Sequence, residues 1–179
     1  MPRTRLSRET LLPRLAGHVL EHGLAGLSLR PLAKAADTSD RMLIYHFGSK
    51  DALVAALLEH LSELYSAALD EAFPKEPPPT RENCVREVLA IARQPFFAPF
   101  MRIWWDIVAG ASKGNAAYRD AAQAMMRRQL DWFEAHMPPG DPDPGGAARL
   151  LFTLVEGSVM LDALELGGIA DDGIAAARL

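Results

Sequence analysis

The run LSLRPLAKAADTSDRMLIYHFGSKDALV, residues 27–54, decides how this chain folds. Ser28 is placed to cap a short helix from Leu29 to about Ala36, with Pro31 in its first turn, where a missing N–H costs little. Asp37 and Thr38 make a turn. Ser39 then caps a second short helix, Asp40 to Phe47, and Gly48 stops it. Two helices this short cannot bury their own apolar faces. They need a helix before them and one after them as a base, and that requirement gives a tri-helical unit of helix-turn-helix geometry.

Both supporting helices are visible in the flanking residues. Upstream, Leu11, Leu15 and Val19, with Leu12, Ala16 and Leu20, form an apolar stripe at helical spacing that ends at His22 and Gly23. The start of this helix is set either by Ser7 or by Thr10. Pro13 would break an interior hydrogen bond in the first case and fall harmlessly in the first turn in the second, which favours a late start or a kink near Pro13. Downstream, Ser49 caps a long helix from Lys50-Asp51 to about Phe73, striped by Leu53, Leu57, Leu61, Leu64 and Ala68.

Beyond it, residues 74–79 form a proline-rich break. Helical patterns follow over Thr80–Arg93, Phe96–Gly110, Asn115–Met137 and Gly146–Gly167, with a short helix after them and a Pro, Gly and Asp loop at 138–146. Val, Ile and Thr are sparse and no alternating pattern persists, so the chain is expected to be all-α, with about nine helices. The expected division is a head of residues 1–50 and a helical body of residues 51–179, joined by helix 4.

Charge follows that division. The net charge of the 179 residues is −4, yet residues 1–50 carry eight Lys and Arg against four acids, a net of +4. The remainder carries eleven against nineteen, a net of −8. A basic head on an acidic body points to phosphate meeting the head alone. The single cysteine, Cys84, has no partner for a disulfide or a metal site and is expected to be a small buried hydrophobe. The basic start is followed by no apolar run, and no uncharged apolar stretch reaches the roughly 20 residues that span a bilayer. A cytoplasmic location without membrane association is therefore expected.

The same 28 residues resemble the DNA-binding head of the tetracycline-repressor (TetR) family of bacterial regulators. Leu29, Leu32, Ala33 and Ala36 stand where that family has its helix 2 core, followed by the turn Asp37-Thr38-Ser39, the recognition helix ending Leu43 to Phe47, and Gly48-Ser49-Lys50-Asp51 opening helix 4. The resemblance covers about 45 residues and departs at three positions. Asp37 replaces the usual Gly at a site that often needs positive φ, which Asp tolerates better than most residues. Thr38 replaces Val, and Ile44 stands where a phosphate-binding Tyr is frequent.

The resemblance implies a regulator, favouring repression, that binds a palindromic operator as a homodimer. Arg41, in the first turn of the recognition helix, is the leading base reader, because Arg bonds guanine bidentately. Thr38, Ser39, Met42 and Tyr45 are candidates for base edges, methyls or phosphates. Lys50, at the start of helix 4, can hold a phosphate together with helix-end N–H groups. Arg30 and His46 are further phosphate candidates, His46 having packing against helix 4 as its other reading. Arg3, Arg5 and Arg8 form an N-terminal arm; Arg8 and Arg14 also read as a solvated face.

In the body, PFFAPFMRIWWDIVAG concentrates the large aromatics. Phe97, Phe100, Met101, Trp104, Trp105, Tyr118, Met125, Phe152 and Glu156 are the expected ligand set, for a small, largely apolar or aromatic effector that releases the DNA; the other reading is a filled core. Trp132, Met126 and Met160 extend the cluster, and Asp106 either orients a ligand amine or faces solvent. Residues 146–179, apolar on more than one face and rich in small residues, are the expected dimer surface. No nucleophile elbow, P-loop, dinucleotide fingerprint or metal cluster is present, so neither an enzyme nor a cofactor is expected. The competing class is a helical protein-interaction module.

Overall fold

The computed structural model describes residues 6–179, and Arg3 and Arg5 of the basic arm lie outside the described residues. Among these residues there are nine helices and no strand: α1 (Arg8–His22), α2 (Leu29–Ala35), α3 (Asp40–Phe47), α4 (Lys50–Ala72), α5 (Arg81–Ala92), α6 (Ala98–Ser112), α7 (Ala116–Ala135), α8 (Pro144–Ala163) and α9 (Gly167–Ala176). The all-α expectation holds.

These helices divide into two compact units. The first takes residues up to Tyr65 together with Ala98–Met125; the second takes Ser66–Phe97 and Met126–Leu179. In the first unit α1 packs on α2 and α6, and α2 packs on α3. Its core is Leu11, Leu15 and Val19 from α1, Leu32 from α2, Leu43 and Phe47 from α3, Leu53, Leu57 and Leu58 from α4, and Ile103 and Ile107 from α6, all buried.

Of the two starts that the sequence allows for α1, the structure takes Ser7 and not the late one. The helix begins at Arg8, not after Thr10, and Pro13 lies inside it. A reciprocal cap decides this. Ser7 Oγ accepts from the Thr10 N–H at 3.3 Å, and Thr10 Oγ1 accepts from the Ser7 N–H at 3.0 Å. Two otherwise orphaned donors are satisfied at once. Pro13 removes the bond to the Glu9 carbonyl, but Glu9 and Pro13 are both exposed, so that carbonyl faces solvent.

In the second unit α8 packs against α5 and α9. Arg93, just past α5, fastens them with a two-pronged bond to the Asp162 carboxylate, at 2.9 and 3.0 Å, and a third bond to Asp171 of α9 at 3.0 Å. Arg81 holds the loop before α8 through two 2.6 Å bonds to Asp141. This pairing holds the Asp141 carboxyl down at about 2. Cys84 is fully buried, and burial pushes its thiol up to about 11. The final long helix stops earlier than expected, at Ala163: Glu165 takes a φ of 60° and the Leu166 N–H turns back to Leu161 O at 2.8 Å.

Helix α4 is long and apolar enough to cross a membrane by length and composition. Its Leu53, Leu57, Leu58, Leu61 and Leu69 are buried within the protein, and Glu59 and Glu63 lie on its exposed side. That distribution is the one-sided stripe of a helix packed on a protein core.

Candidate nucleic-acid interface

The two short helices of the head are held by different means. Ser28 takes the N-cap position of α2 without a side-chain bond. The other end is closed firmly: the Asp37 N–H donates to Lys34 O at 3.2 Å and the Thr38 N–H to Ala33 O at 2.9 Å. This pair of bonds is a Schellman closure, which requires a left-handed residue between them, and Asp37 supplies it with a φ of 51°. Helix α3 starts on the Ser39 hydroxyl, which accepts from the Met42 N–H at 3.3 Å, and ends at Gly48, whose φ is 89°.

Burial sorts the residues of α3 into two faces. Leu43 and Phe47 are buried, whereas Arg41 and Tyr45, one turn apart, are exposed on the opposite side. Tyr45 is 77% exposed, an unusual position for a large aromatic. Its ring meets His46 edge-on at 5.2 Å. Ser39 and Lys50 are exposed at the two ends of the helix, and Met42 is half-buried. Arg30 and Thr38 line a shallow groove with Lys34, Asp37 and Asp40 beside the turn. Arg30, Ser39, Arg41, Tyr45 and Lys50 are exposed and Thr38 and Met42 half-buried; Arg30 and Thr38 share one groove, whereas Lys50 lines a second cleft with Leu24, Asn115 and Tyr118. His46 differs: its Nε2 is buried without a hydrogen-bond partner.

Residues 19–57 match the family model of bacterial regulatory proteins of the tetR family. The chain carries a TetR-family head. The TetR-family fold extends beyond that head, as solved structures of low identity agree over nearly the whole chain. The transcriptional regulator SCO7518 from Streptomyces coelicolor A3(2), described as putative, is 23% identical, with a TM-score of 0.72 over 94% of this chain and 96% of its own. A TetR-family regulator from Rhodococcus sp., also described as putative, is 20% identical, with a TM-score of 0.70 over 95% of each chain. The multidrug binding protein EbrR, solved with imidazole, is 21% identical, with a TM-score of 0.67 over 94% of this chain and 88% of its own. No curated protein matches the chain in sequence.

The expected ligand residues fall in both units. In the unit that contains the TetR-family head, Trp104 is buried, and Phe100, Met101, Trp105, Tyr118 and Met125 are half-buried. Phe100 meets Tyr65 of α4 edge-on at 5.7 Å, a contact that the aromatic count alone did not suggest. Tyr118 lines a cleft of about 370 Å³ with Leu24, Leu27, Lys50, Val54 and Asn115, so it borders the head. Its ring lies against Gly110, where an added Cβ would run into it. Burial and the nearby Asp106 charge both raise its hydroxyl pKa.

In the other unit Phe97 is buried and Phe152 meets Phe133 edge-on at 5.9 Å, while Glu156 is half-buried. Trp132 stacks on His136 at 4.1 Å, meets Phe73 at 4.8 Å, and donates from Nε1 to Asp70 at 3.3 Å. Met160 is half exposed.

Two arginines that read as solvated face have partners inside the TetR-family head. Arg14 donates to Ala36 O at 3.1 Å, bracing the end of α2. Arg8 reaches the end of α3. Asp106, expected either to hold a ligand amine or to face water, accepts from the Leu24 N–H at 2.9 Å. Sequence reasoning missed all three, because each partner is a backbone group in a different helix or turn.

Proposed function

We propose that this protein is a transcriptional regulator of the repressor kind, which binds palindromic operator DNA as a homodimer and lets go when a small, largely apolar effector binds. One observation carries the reading: α3 of a TetR-family head presents Arg41 and Tyr45 outward on a face opposite buried Leu43 and Phe47. An exposed Arg and a 77% exposed Tyr on one helical face suit base edges and phosphates in a major groove. Arg30, Thr38, Ser39, Met42 and Lys50 complete the interface, and the buried Nε2 leaves His46 only its other ring nitrogen for a phosphate. Reading is assigned to residues 1–50, and effector binding and dimerisation to residues 51–179. The work is done in the cytoplasm.

The dimer reading is supported by α8. Leu150, Met160 and Leu164 are exposed, and with half-buried Leu154, Gly157 and Leu161 they form one apolar stripe at three- and four-residue spacing. Exposed Leu166 and Ile169 continue the apolar surface past the end of the helix. Unsolvated burial of such a stripe against its twin would offset its cost in water, and a two-fold pair would set two α3 helices about 34–36 Å apart on DNA. The effector reading is supported by the aromatic side of α6, where Phe100 and Trp104 share a face, and by the ligand-bound state of the similar protein EbrR.

The test is selection of binding sites from random duplexes, followed by affinity measurements at rising salt. A palindromic consensus with a steep salt slope is the expected result. Absence of duplex binding at low salt would sink the reading and favour a protein-interaction module.

A further inference from the structure

Helix α1 ends at a broken hydrogen bond, and α6 holds both of its halves. In a continuing helix the Leu24 N–H would donate to the Leu20 carbonyl. The last helical bond is instead Gly23 N–H to Val19 O at 2.8 Å, and Gly23 then turns the chain with a φ of 80° and a ψ of −175°. The two separated groups each find a side chain of α6. Arg102 Nη2 donates to Leu20 O at 2.9 Å, and Asp106 Oδ2 accepts from the Leu24 N–H at 2.9 Å.

The chemistry of the two contacts suits their places. Leu20 O is one of the four carbonyls that a helix leaves unpaired at its C-terminus, where positive charge is favoured. Leu24 is buried, so its N–H needs a partner within the protein. Gly23 takes a positive φ, and a Cβ there would stand 3.3 Å from Asp106 Oδ2, a tight contact that the carboxylate would have to relieve by shifting a few tenths of an ångström.

Arg102 and Asp106 are one turn apart and share a face of α6. At 3.6 residues per turn, Phe100 and Trp104 lie on roughly the opposite side. One short helix therefore carries the aromatic face proposed for the effector on one side and the grip on the head on the other. Gly110, the next turn along the gripping face, receives the ring of Tyr118.

We propose that Arg102 and Asp106 are positioning residues for DNA binding, which fix the junction of α1 and α2, and hence the aim of α3, to α6. This inference rests on the DNA-binding reading above.

The experiment compares R102A and D106A with R102K and D106N in the full chain. Each is measured against the selected palindrome, against random-sequence duplex, and for amide hydrogen exchange at Leu24. In D106A, Leu24 exchange should accelerate and affinity for the palindrome fall about tenfold, while random-duplex affinity stays within about twofold because Arg30 and Lys50 still meet phosphate. D106N retains an oxygen acceptor for Leu24 and should recover most of the palindrome affinity; R102K retains a donor and should recover part.

Equal loss on both duplexes, or no recovery in the conservative variants, would make the contacts merely structural and overturn the inference. Unchanged palindrome affinity in both alanine variants would overturn it as well, with the DNA reading intact. A wild-type chain that binds no duplex removes the DNA reading itself, and this inference with it.

Discussion

The guanidinium of Arg8 stands over the ring of Phe47, 5.4 Å from its centroid, and its Nε donates to the His46 carbonyl at 2.6 Å. The first helix thereby closes the end of the third. The cation meets both an aromatic face and the negative end of a helix. Replacing Arg8 by Ala should lower the stability of the head by about 1 kcal/mol. Thermal melting followed at the Tyr45 signal measures this, and an unchanged melt would show the contact to be without weight.

Arg41 and Lys50 should separate into reader and clamp. Arg41→Ala is expected to relax preference at one base position per half-site, at a cost of about 1–3 kcal/mol on the preferred base. Lys50→Ala should weaken all sequences alike and reduce the salt slope by about one. Binding-site selection repeated on each variant reads both effects. Retained preference in Arg41→Ala would mean that the register of α3 on DNA is wrong.

Asp37 holds a left-handed backbone position that glycine occupies without steric cost. Asp37→Gly should stabilise the head by about 0.5 kcal/mol, since relief of the backbone outweighs the extra freedom of the unfolded chain. Denaturant unfolding is the measurement, and destabilisation would point to a contact of the Asp37 carboxylate that matters more than its backbone.

The Arg81–Asp141 pair predicts acid sensitivity of a definite sign. The folded-state pKa of Asp141 is held near 2, below the ordinary value of 3.8. The unfolded chain therefore binds the proton first, so the stabilising contribution is present above about pH 4 and is lost as the pH falls towards 2. Asp141→Asn should flatten this part of the stability profile. A wild-type and a variant profile that run parallel below pH 4 would contradict it.

Leu164, at the C-cap of α8, is 62% exposed, and Leu150, on the apolar stripe of that helix, is 44% exposed. Glutamate at both positions should leave the monomer folded and split the dimer, which sedimentation velocity at micromolar concentration would record. A wild-type chain that sediments as a monomer would remove the dimer from the proposed function.

What could be read from the residues was what is decided locally. Ser39 and Gly48 bound α3 by their own side-chain and backbone chemistry, and Leu43 and Phe47 reveal its inner face by spacing. The residues left the start of α1 open between Ser7 and Thr10, because the cost of Pro13 is obvious in isolation, whereas the Ser7–Thr10 cap that decides for Ser7 is a reciprocal pair. The roles of Arg8 and Asp106 were out of reach: their partners lie 38 and 82 residues away and are peptide groups, which leave no mark on residue identity. The aromatic cluster was legible as a composition but not as a partition, and its members fall into two separate units.

The grip of α6 on the end of α1 has a further consequence for how such a protein can change. Arg102 and Asp106 hold peptide groups, so positions 20 and 24 must supply a backbone and adequate packing but no particular functional group. None of the outward residues of α3 takes part in that grip. Arg41 and Tyr45 can therefore be exchanged for other readers without retuning the helix that steers them. New target sites become reachable through a few surface substitutions, with the inherited control left in place.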